Sequence, residues 1–264
     1  MIKVRQKSTN PNYIECGKAD IHIHSIYSKK CGLFDIKDIL DYVEKMTDLD
    51  VIAITDHDQI KGSLKAAKMS SNYNFEVIVG EEILTKQGEV IGLFLKERIL
   101  PKKSLAATLA EIHKQDGLAI IPHPFYFYGR IPGLKKAVSI RTVNKILKHE
   151  SDLIKIDALE AFNASLAGQL SHRKVLKFNT KLFDLPVIAS SDAHSVAHIG
   201  CAFTLFPGKT KEDLRQSILN KTTIIQGGEF WPFADTARLI EKNVTKRLKK
   251  YSHTIHDKLK EKIL

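Results

Sequence analysis

Cysteine is scarce in this 264-residue chain. Cys16, Cys31 and Cys201 are odd in number, far apart and outside any Cys-x-x-Cys pair, which excludes a disulfide framework and a Cys-rich zinc module. There is no low-complexity linker, Pro/Gly-rich hinge or internal repeat, and 43% hydrophobic with 27% charged residues is ordinary globular composition. Disordered and collagen-like architectures are thereby excluded. No run approaches the roughly 18 consecutive apolar residues that span a bilayer, and the stretch MIKVRQKSTNPNY carries a charged or polar group every few positions with no apolar signal-peptide core. A cytoplasmic protein without a membrane partner is expected. What is plentiful is positive charge, 41 Lys+Arg against 30 Asp+Glu for a net +11, and histidine, of which there are eleven.

Short apolar or β-branched segments at 19–22, 50–55, 76–84, 90–95, 118–122, 158–162, 187–189 and 202–205 read as buried strands. Helical periodicity lies between them. Ile36, Ile39, Leu40 and Val43 share one face, as do Leu105, Leu109 and Ile112 after the N-cap candidate Ser104, with further helices near 138–149, 168–179 and 211–220. Such alternation predicts a mostly parallel sheet closed into a barrel or near-barrel, one domain over 1–235. Residues 236–264 differ. Ile240, Val244, Leu248, Tyr251, Ile255, Leu259 and Ile263 recur every three or four positions, among nine Lys+Arg and three Asp+Glu. This is a basic amphipathic helix, expected to pack on the barrel or to pair copies into a homo-oligomer.

The chemistry sits at strand ends. In Asp20-Ile21-His22-Ile23-His24-Ser25 the strand period puts both histidines on one face, where two imidazoles can share a metal or form hydrogen-bonded structural pairs. His57 follows the strand 51–54, His123 follows 118–122, and Asp192 and His194 follow 187–189. In a parallel barrel all strand C-termini open on one face, so these residues converge. Glu81 and Glu82 occur in the same setting, one of them inward. Nitrogen and carboxylate oxygen donors without a thiolate suit Zn²⁺, Mn²⁺ or Fe²⁺, and several in one mouth imply a multinuclear site of the kind that hydrolyses phosphate esters.

The ordered set HIHS, ITDHD, GEEI, IPHPF and SSDAH, over about residues 18–207, resembles the polymerase and histidinol phosphatase (PHP) superfamily of metallophosphoesterases. The resemblance implies an α/β fold, a distorted (β/α)7 TIM-like barrel, to which the C-terminal amphipathic helix is appended outside the matching region, and two or three divalent metal ions at its mouth. It carries metal-ligand roles onto His22, His24, His57, Glu82, His123, Asp192 and His194. A metal-activated water then attacks phosphorus, with Asp192 and His194 as the catalytic pair and Asp192 as proton acceptor. Two departures stand out. Trinuclear members usually have an acidic residue a few positions after HxHS, where this chain has Lys29 and Lys30, leaving Cys31 or Asp35 as substitutes. Glu89 stands where many relatives have histidine, a harder ligand that favours Mn²⁺ or Fe²⁺ over Zn²⁺.

Phosphate recognition needs cations beside the metals. Arg130, Lys29 and His198 are the substrate-binding candidates, a guanidinium being able to grip two phosphate oxygens. Asn163 reads as a strand-end cap at the mouth, and Asp20 and Asp56 as residues holding backbone or ligands. His113, His149, His172, His253 and His256 fall on predicted helices as surface residues. The resemblance to stand-alone members implies a nucleotide-type substrate, a small phosphorylated molecule or a short nucleic-acid end. A histidinol-phosphate or phosphotyrosine phosphatase, a catalytically silent module binding nucleic acid or a protein through the tail, and a metal-dependent amidohydrolase are the alternatives.

Overall fold

The computed structural model describes residues 15–28, 31–125, 137–148, 153–227 and 230–231. Lys29, Arg130, His149 and the tail 236–264 with His253 and His256 lie outside the described residues. In chain order the elements are β1 (Cys16–Ile23), α1 (Ile36–Met46), β2 (Val51–Ile54), α2 (Lys61–Met69), β3 (Glu76–Thr85), β4 (Gly88–Leu93), α3 (Leu105–Lys114) and β5 (Leu118–Ile121). There follow α4 (Ile140–Leu147), β6 (Ala158–Asn163), α5 (Leu166–Phe178), β7 (Val187–Ser190), β8 (Ala202–Pro207), α6 (Lys211–Leu219) and β9 (Ile224–Gly227). The sheet order is β7-β6-β5-β4-β3-β2-β1-β8-β9. No helix among the described residues is long and apolar enough to cross a membrane.

The barrel is less parallel than the strand pattern predicts. β1–β2, β2–β3, β5–β6 and β6–β7 are parallel, whereas β3–β4, β4–β5, β1–β8 and β8–β9 are antiparallel. The reason is local. β3 and β4 are joined by a tight turn in which Gly88 sits at φ 138° and Thr85 Oγ1 donates to the Gly88 carbonyl, and so short a link builds only a hairpin.

Inward residues Ala19, Ile21, Val51, Ala53, Ile78, Ile91, Leu93, Leu118, Ile120, Ala158 and Ile188 form one buried cluster, which Leu214 and Ile218 of α6 complete with Phe206. A second cluster joins the outer faces of β4–β6 to α3, α4 and α5, and a third joins β1–β3 to α1 and α2. Ser104 caps α3 as the sequence suggests; Asp35 and Ser139 likewise accept backbone N–H groups, and Thr210 with Asp213 forms a capping box.

Closure is split along the seam between β1 and β7. At the lower end β8 pairs with Cys16–Ala19 of β1, and the Thr204 hydroxyl reaches β7, accepting from Ala189 N–H (3.0 Å) and donating to the Ala189 carbonyl (2.8 Å). At the upper end the chain after β7 pairs with β1 directly: His24 N–H donates to the Ala193 carbonyl at 2.8 Å and Ala193 N–H to the His22 carbonyl at 3.1 Å. The barrel therefore shuts where the candidate ligands lie.

Candidate metal centre

A β-bulge aims the first histidine. β1 pairs Asp20 with Ile52 and Ile23 with Ile54, so two residues, Ile21 and His22, oppose Ala53 alone. Both then face inward, Ile21 into the barrel core and His22 into the mouth, while Ile23 packs with α1. Asp20 and Asp56 hold the surrounding backbone. Asp20 accepts N–H bonds from Ser191 and Gly200 (3.0 and 2.9 Å), and Asp56 accepts from Ser25 N–H and Oγ, both at 2.7 Å. Burial raises Asp20 to about 6 and Asp56 above the usual carboxylate range, against these bonds.

His22, His24, His57, His123 and His194 converge with Glu82, Glu89 and Asp192 at the mouth. Ring centroids of His24 lie 4.3 Å from His194, 4.4 Å from His57 and 5.1 Å from His22. Asp192 Oδ1 stands 3.3 Å from His22 Nε2 and 3.2 Å from His24 Nε2. Glu82 is the shared carboxylate: Oε2 contacts His57 Nδ1 at 2.5 Å and lies 3.6–3.7 Å from His24 and His22, while Oε1 is 3.3 Å from His123 Nε2. Glu89 Oε2 is 3.9 Å from His123 Nε2. Glu81 points elsewhere, accepting from Ile99 N–H at 2.9 Å, and burial lifts it to about 7.

Four groups of donors have the spacing of metal ligands: His22, His24 and Asp192; His22, Glu82 and His123; His57, Glu82 and Glu89; and His24, Cys31, His57 and His194. In each, the ligand atoms lie within 4.8 Å of one another. His22 supplies the decisive test of fit. Its ring is fully buried, its Nδ1 is 2.9 Å from Glu160 Oε1, and its Nε2 has no hydrogen-bond partner although Asp192 and Glu82 surround it. A buried ring nitrogen without a hydrogen-bond partner, set between two carboxylates, is costly, and a cation there satisfies the nitrogen and both carboxylates. Nitrogen and carboxylate donors of this kind fit divalent transition metals.

Electrostatics separates the rings. Burial opposes charging of His22, but Asp192, Glu160 and Glu82 outweigh it and hold the ring well above the usual histidine range. Burial, with His194 and His57 beside it, drives His24 well below that range, so its lone pair is available to a metal. Burial likewise opposes ionisation of the Cys31 thiol, yet His194 and His57 pull it down to about 5. His194 Nδ1–H donates to the Asp192 carbonyl at 2.8 Å, which leaves Nε2 unprotonated in the neutral ring. His123 (φ 30°) and Asp192 (φ 53°) adopt left-handed backbone conformations, a cost of about 1–3 kcal/mol each that is typical of functional positions.

The strand pattern gives Glu160 no role, yet it organises the mouth. Its Oε1 accepts from His22 Nδ1 and from Ser190 Oγ (2.5 Å), and its Oε2 accepts from His123 N–H (2.7 Å) and Asn163 Nδ2 (2.8 Å). The available signal is a carboxylate two positions after inward Ala158 on a wholly buried strand. Asn163 caps as expected, accepting from Ser165, and its amide also lies 3.4 Å from Asp192 Oδ2. His198 stacks on Trp231 at 4.6 Å and 15°, and Trp231 stands edge-on to His194, donating its indole N–H to the Ser191 carbonyl. Asp35 does not reach the cluster; it accepts from Ile36 N–H and Lys65 Nζ. His113 and His172 depart from the surface reading. His113 Nε2 is 2.8 Å from buried Asp157, and His172 Nδ1 donates to the Ala161 carbonyl, because helix faces turned to the sheet take them in.

Comparison with known proteins agrees with this arrangement. A family model described as PHP-associated matches residues 170–223. The uncharacterized protein MJ1587 of Methanocaldococcus jannaschii is 34% identical over 173 residues, 61% of this chain and 92% of that protein. Among solved structures, a two-domain protein of Bacteroides vulgatus containing a predicted PHP-like metal-dependent phosphoesterase superposes with TM-score 0.65 at 17% identity, covering 84% of this chain and 70% of that one. The lesion-specific endonuclease PfuEndoQ of Pyrococcus furiosus superposes with TM-score 0.57 at 19% identity, over 80% of this chain and 58% of that one. The fold is that of PHP-like metal-dependent phosphoesterases, the His/carboxylate mouth fits divalent metals, and the chain belongs to the PHP superfamily.

Proposed function

We propose that this chain hydrolyses phosphate esters of the nucleotide type, a nucleoside 3′,5′-bisphosphate or the 5′ end of a short oligoribonucleotide, with Mn²⁺, Fe²⁺ or Zn²⁺ as cofactor. The observation that carries the reading is the buried His22 Nε2, without a hydrogen-bond partner and facing Asp192 and Glu82 in a mouth ringed by further donors. His22, His24, Asp192, Glu82, His123, Glu89, His57 and His194 would hold the cations. Bound there, divalent metals supply Lewis-acid polarisation of phosphoryl oxygens and a lowered pKa for water. Glu160 fixes the His22 ring, the Asp192 carbonyl fixes His194, and Asn163 steadies Asp192. Asp192 accepts the proton released as water attacks phosphorus. Arg130, Lys29 and His198 receive the substrate phosphates. A nucleic-acid substrate is favoured over histidinol phosphate or phosphotyrosine by the structural likeness to an endonuclease. A silent binding module has no need of so complete a ligand set.

The test is a metal-resolved assay. Purified full-length chain is stripped with chelator, reloaded singly with each cation and offered nucleotides, bisphosphonucleosides, short RNAs, sugar phosphates, histidinol phosphate and phosphotyrosine. Metal-dependent turnover with a preference for the nucleotide-type esters is expected. Activity that survives complete metal removal, or no turnover of any ester with metal bound, overturns the reading.

A further inference from the structure

We propose that Cys31 is a metal ligand: its thiolate, with His57 and His194, forms a sulfur-containing cation position unlike the oxygen-rich remainder of the mouth. The inference rests on the metal-centre reading and adds the identity of one ligand and the class of ion it selects.

Geometry carries it. Cys31 Sγ lies within 4.8 Å of a ligand nitrogen on each of His24, His57 and His194. In the loop between β1 and α1, described residues on both sides of positions 29–30 anchor the thiol's backbone. Cys31 N–H donates to the Ser28 carbonyl at 3.0 Å, and Gly32 presses so close to Ser25 that a Cβ there would stand 1.6 Å from the Ser25 carbonyl oxygen. Ser28 ties the same loop to the histidines, its Oγ accepting His57 N–H at 2.9 Å and bonding His24 Nδ1 at 3.0 Å. The other candidate, Asp35, is committed to capping α1 and to Lys65.

The consequence is a mouth with two kinds of position. Glu82, Glu89 and Asp192 supply hard oxygen donors, which accept Mn²⁺ readily, whereas a thiolate with imidazoles selects softer ions, Zn²⁺ or Co²⁺ ahead of Mn²⁺ or Mg²⁺. The full-length protein is thus expected to retain one zinc through a manganese exchange that replaces ions held by carboxylates.

Cobalt reads this out without reference to activity. Metal-stripped full-length chain is titrated with Co²⁺ and followed by absorption, alongside Cys31→Ser and Cys31→Asp. The native chain is expected to show a thiolate-to-cobalt charge-transfer band in the near ultraviolet. Both variants should lose that band while keeping the visible bands of cobalt bound by imidazole and carboxylate. Zinc affinity of the Cys31 position should fall by at least about 100-fold in Cys31→Ser, since changes merely adjacent to a ligand cost about 10–100-fold. Cys31→Asp should retain a cation there with its preference moved toward Mn²⁺, which also shows that the loop folds. Visible bands without the charge-transfer band in the native chain, or a band that persists in Cys31→Ser through Cys16 or Cys201, overturn this proposal alone. Absence of any bound cobalt overturns the metal-centre reading with it.

Discussion

Replacing Glu160 by glutamine should separate metal binding from stability. The carboxylate accepts four hydrogen bonds, two on each oxygen, and an amide offers only one oxygen. If that oxygen faces His22 and Ser190, the amide NH₂ confronts two donors that cannot accept, His123 N–H and Asn163 Nδ2. Asn163 cannot turn over without losing the bonds that Ser165 N–H and Oγ make to its Oδ1. Two buried donors would be stranded at about 1–3 kcal/mol each. In the opposite orientation the oxygen keeps His123 and Asn163, and the NH₂ donates to Ser190 Oγ and to His22 Nδ1. That displaces only the Ser190 hydroxyl proton, which can rotate, provided that His22 moves its proton to Nε2, which then faces Asp192 Oδ1. The second arrangement is cheaper, and it blocks the ligating nitrogen. Glu160→Gln is therefore expected to melt within a few degrees of the native chain when metal-free, and to bind Zn²⁺ or Mn²⁺ about 10–100-fold more weakly, or about 1.4–2.7 kcal/mol. Competition against a chromophoric chelator gives the affinity and thermal denaturation the stability. A folded variant whose affinity stays within about threefold of native would refute the argument that Glu160 sets the His22 tautomer. Glu160→Ala, which takes the acceptor from His123 N–H and Ser190 Oγ and leaves Asn163 Nδ2 only its 3.4 Å contact with Asp192, should lose about 2–6 kcal/mol of stability instead.

Further outcomes follow from other contacts. Asp192→Asn should fold normally, because asparagine tolerates the left-handed backbone at this position (φ 53°), while metal affinity and phosphoesterase turnover collapse; calorimetry and the ester panel check both halves. Gly62→Ala places a Cβ 2.3 Å from Asp56 Oδ2 and 2.8 Å from Ser25 Oγ. The displaced Asp56 should cost about 1–3 kcal/mol in chemical denaturation and loosen metal binding through the HIHS turn. Thr204→Val strands the Ala189 N–H and carbonyl at the seam and should destabilise by about 2–6 kcal/mol with metal affinity unchanged. His113 is pushed above 6.5 because Asp157 outweighs the opposing effect of burial. A histidine raised in this way contributes stability fully below pH 6.5 and loses it as pH rises through the folded value, so melting curves of His113→Gln should flatten against pH above 6.5 relative to the native chain.

Much of this arrangement was legible in the primary structure. The candidate ligands stand out because a polar residue at the end of an apolar strand has few other uses, and His22, His24, His57, Glu82, Glu89, His123, Asp192 and His194 all meet at one mouth. What escapes is whatever depends on tertiary partners. α2 begins with Lys-Gly-Ser after Ile60, with no side-chain cap. It is helical because Gly62 fits against Asp56 and Ser63 Oγ accepts Gly80 N–H, neither of which has a local signature. β9 is four residues long and defined only by pairing with β8. The antiparallel course of β4 follows from the hairpin turn rather than from strand composition. Glu160 looks like a single charge in an apolar run, and only the convergence of His22, His123, Asn163 and Ser190 gives it a role. Asp35 and Cys31 look equivalent as substitutes for the acidic residue, and the capping of α1 by Asp35 decides between them.

The upper closure of the barrel sets an order of events during folding. His24 and Asp192 are 168 positions apart, yet they touch beside the Ala193 backbone bonds that join the ends of β1 and β7. Contacts of such sequence separation form late, because the intervening chain must already be compact before its ends meet at tolerable entropic cost. As the chain leaves the ribosome, His22, His24, His57, Glu82, Glu89 and His123 emerge first, and Asp192 with His194 only when β7 is made. A cation that arrives early finds an incomplete set of donors in a barrel with a missing wall. Metal uptake thus reports that β7 has docked beside β1, and the centre acquires its full affinity only once that seam is shut.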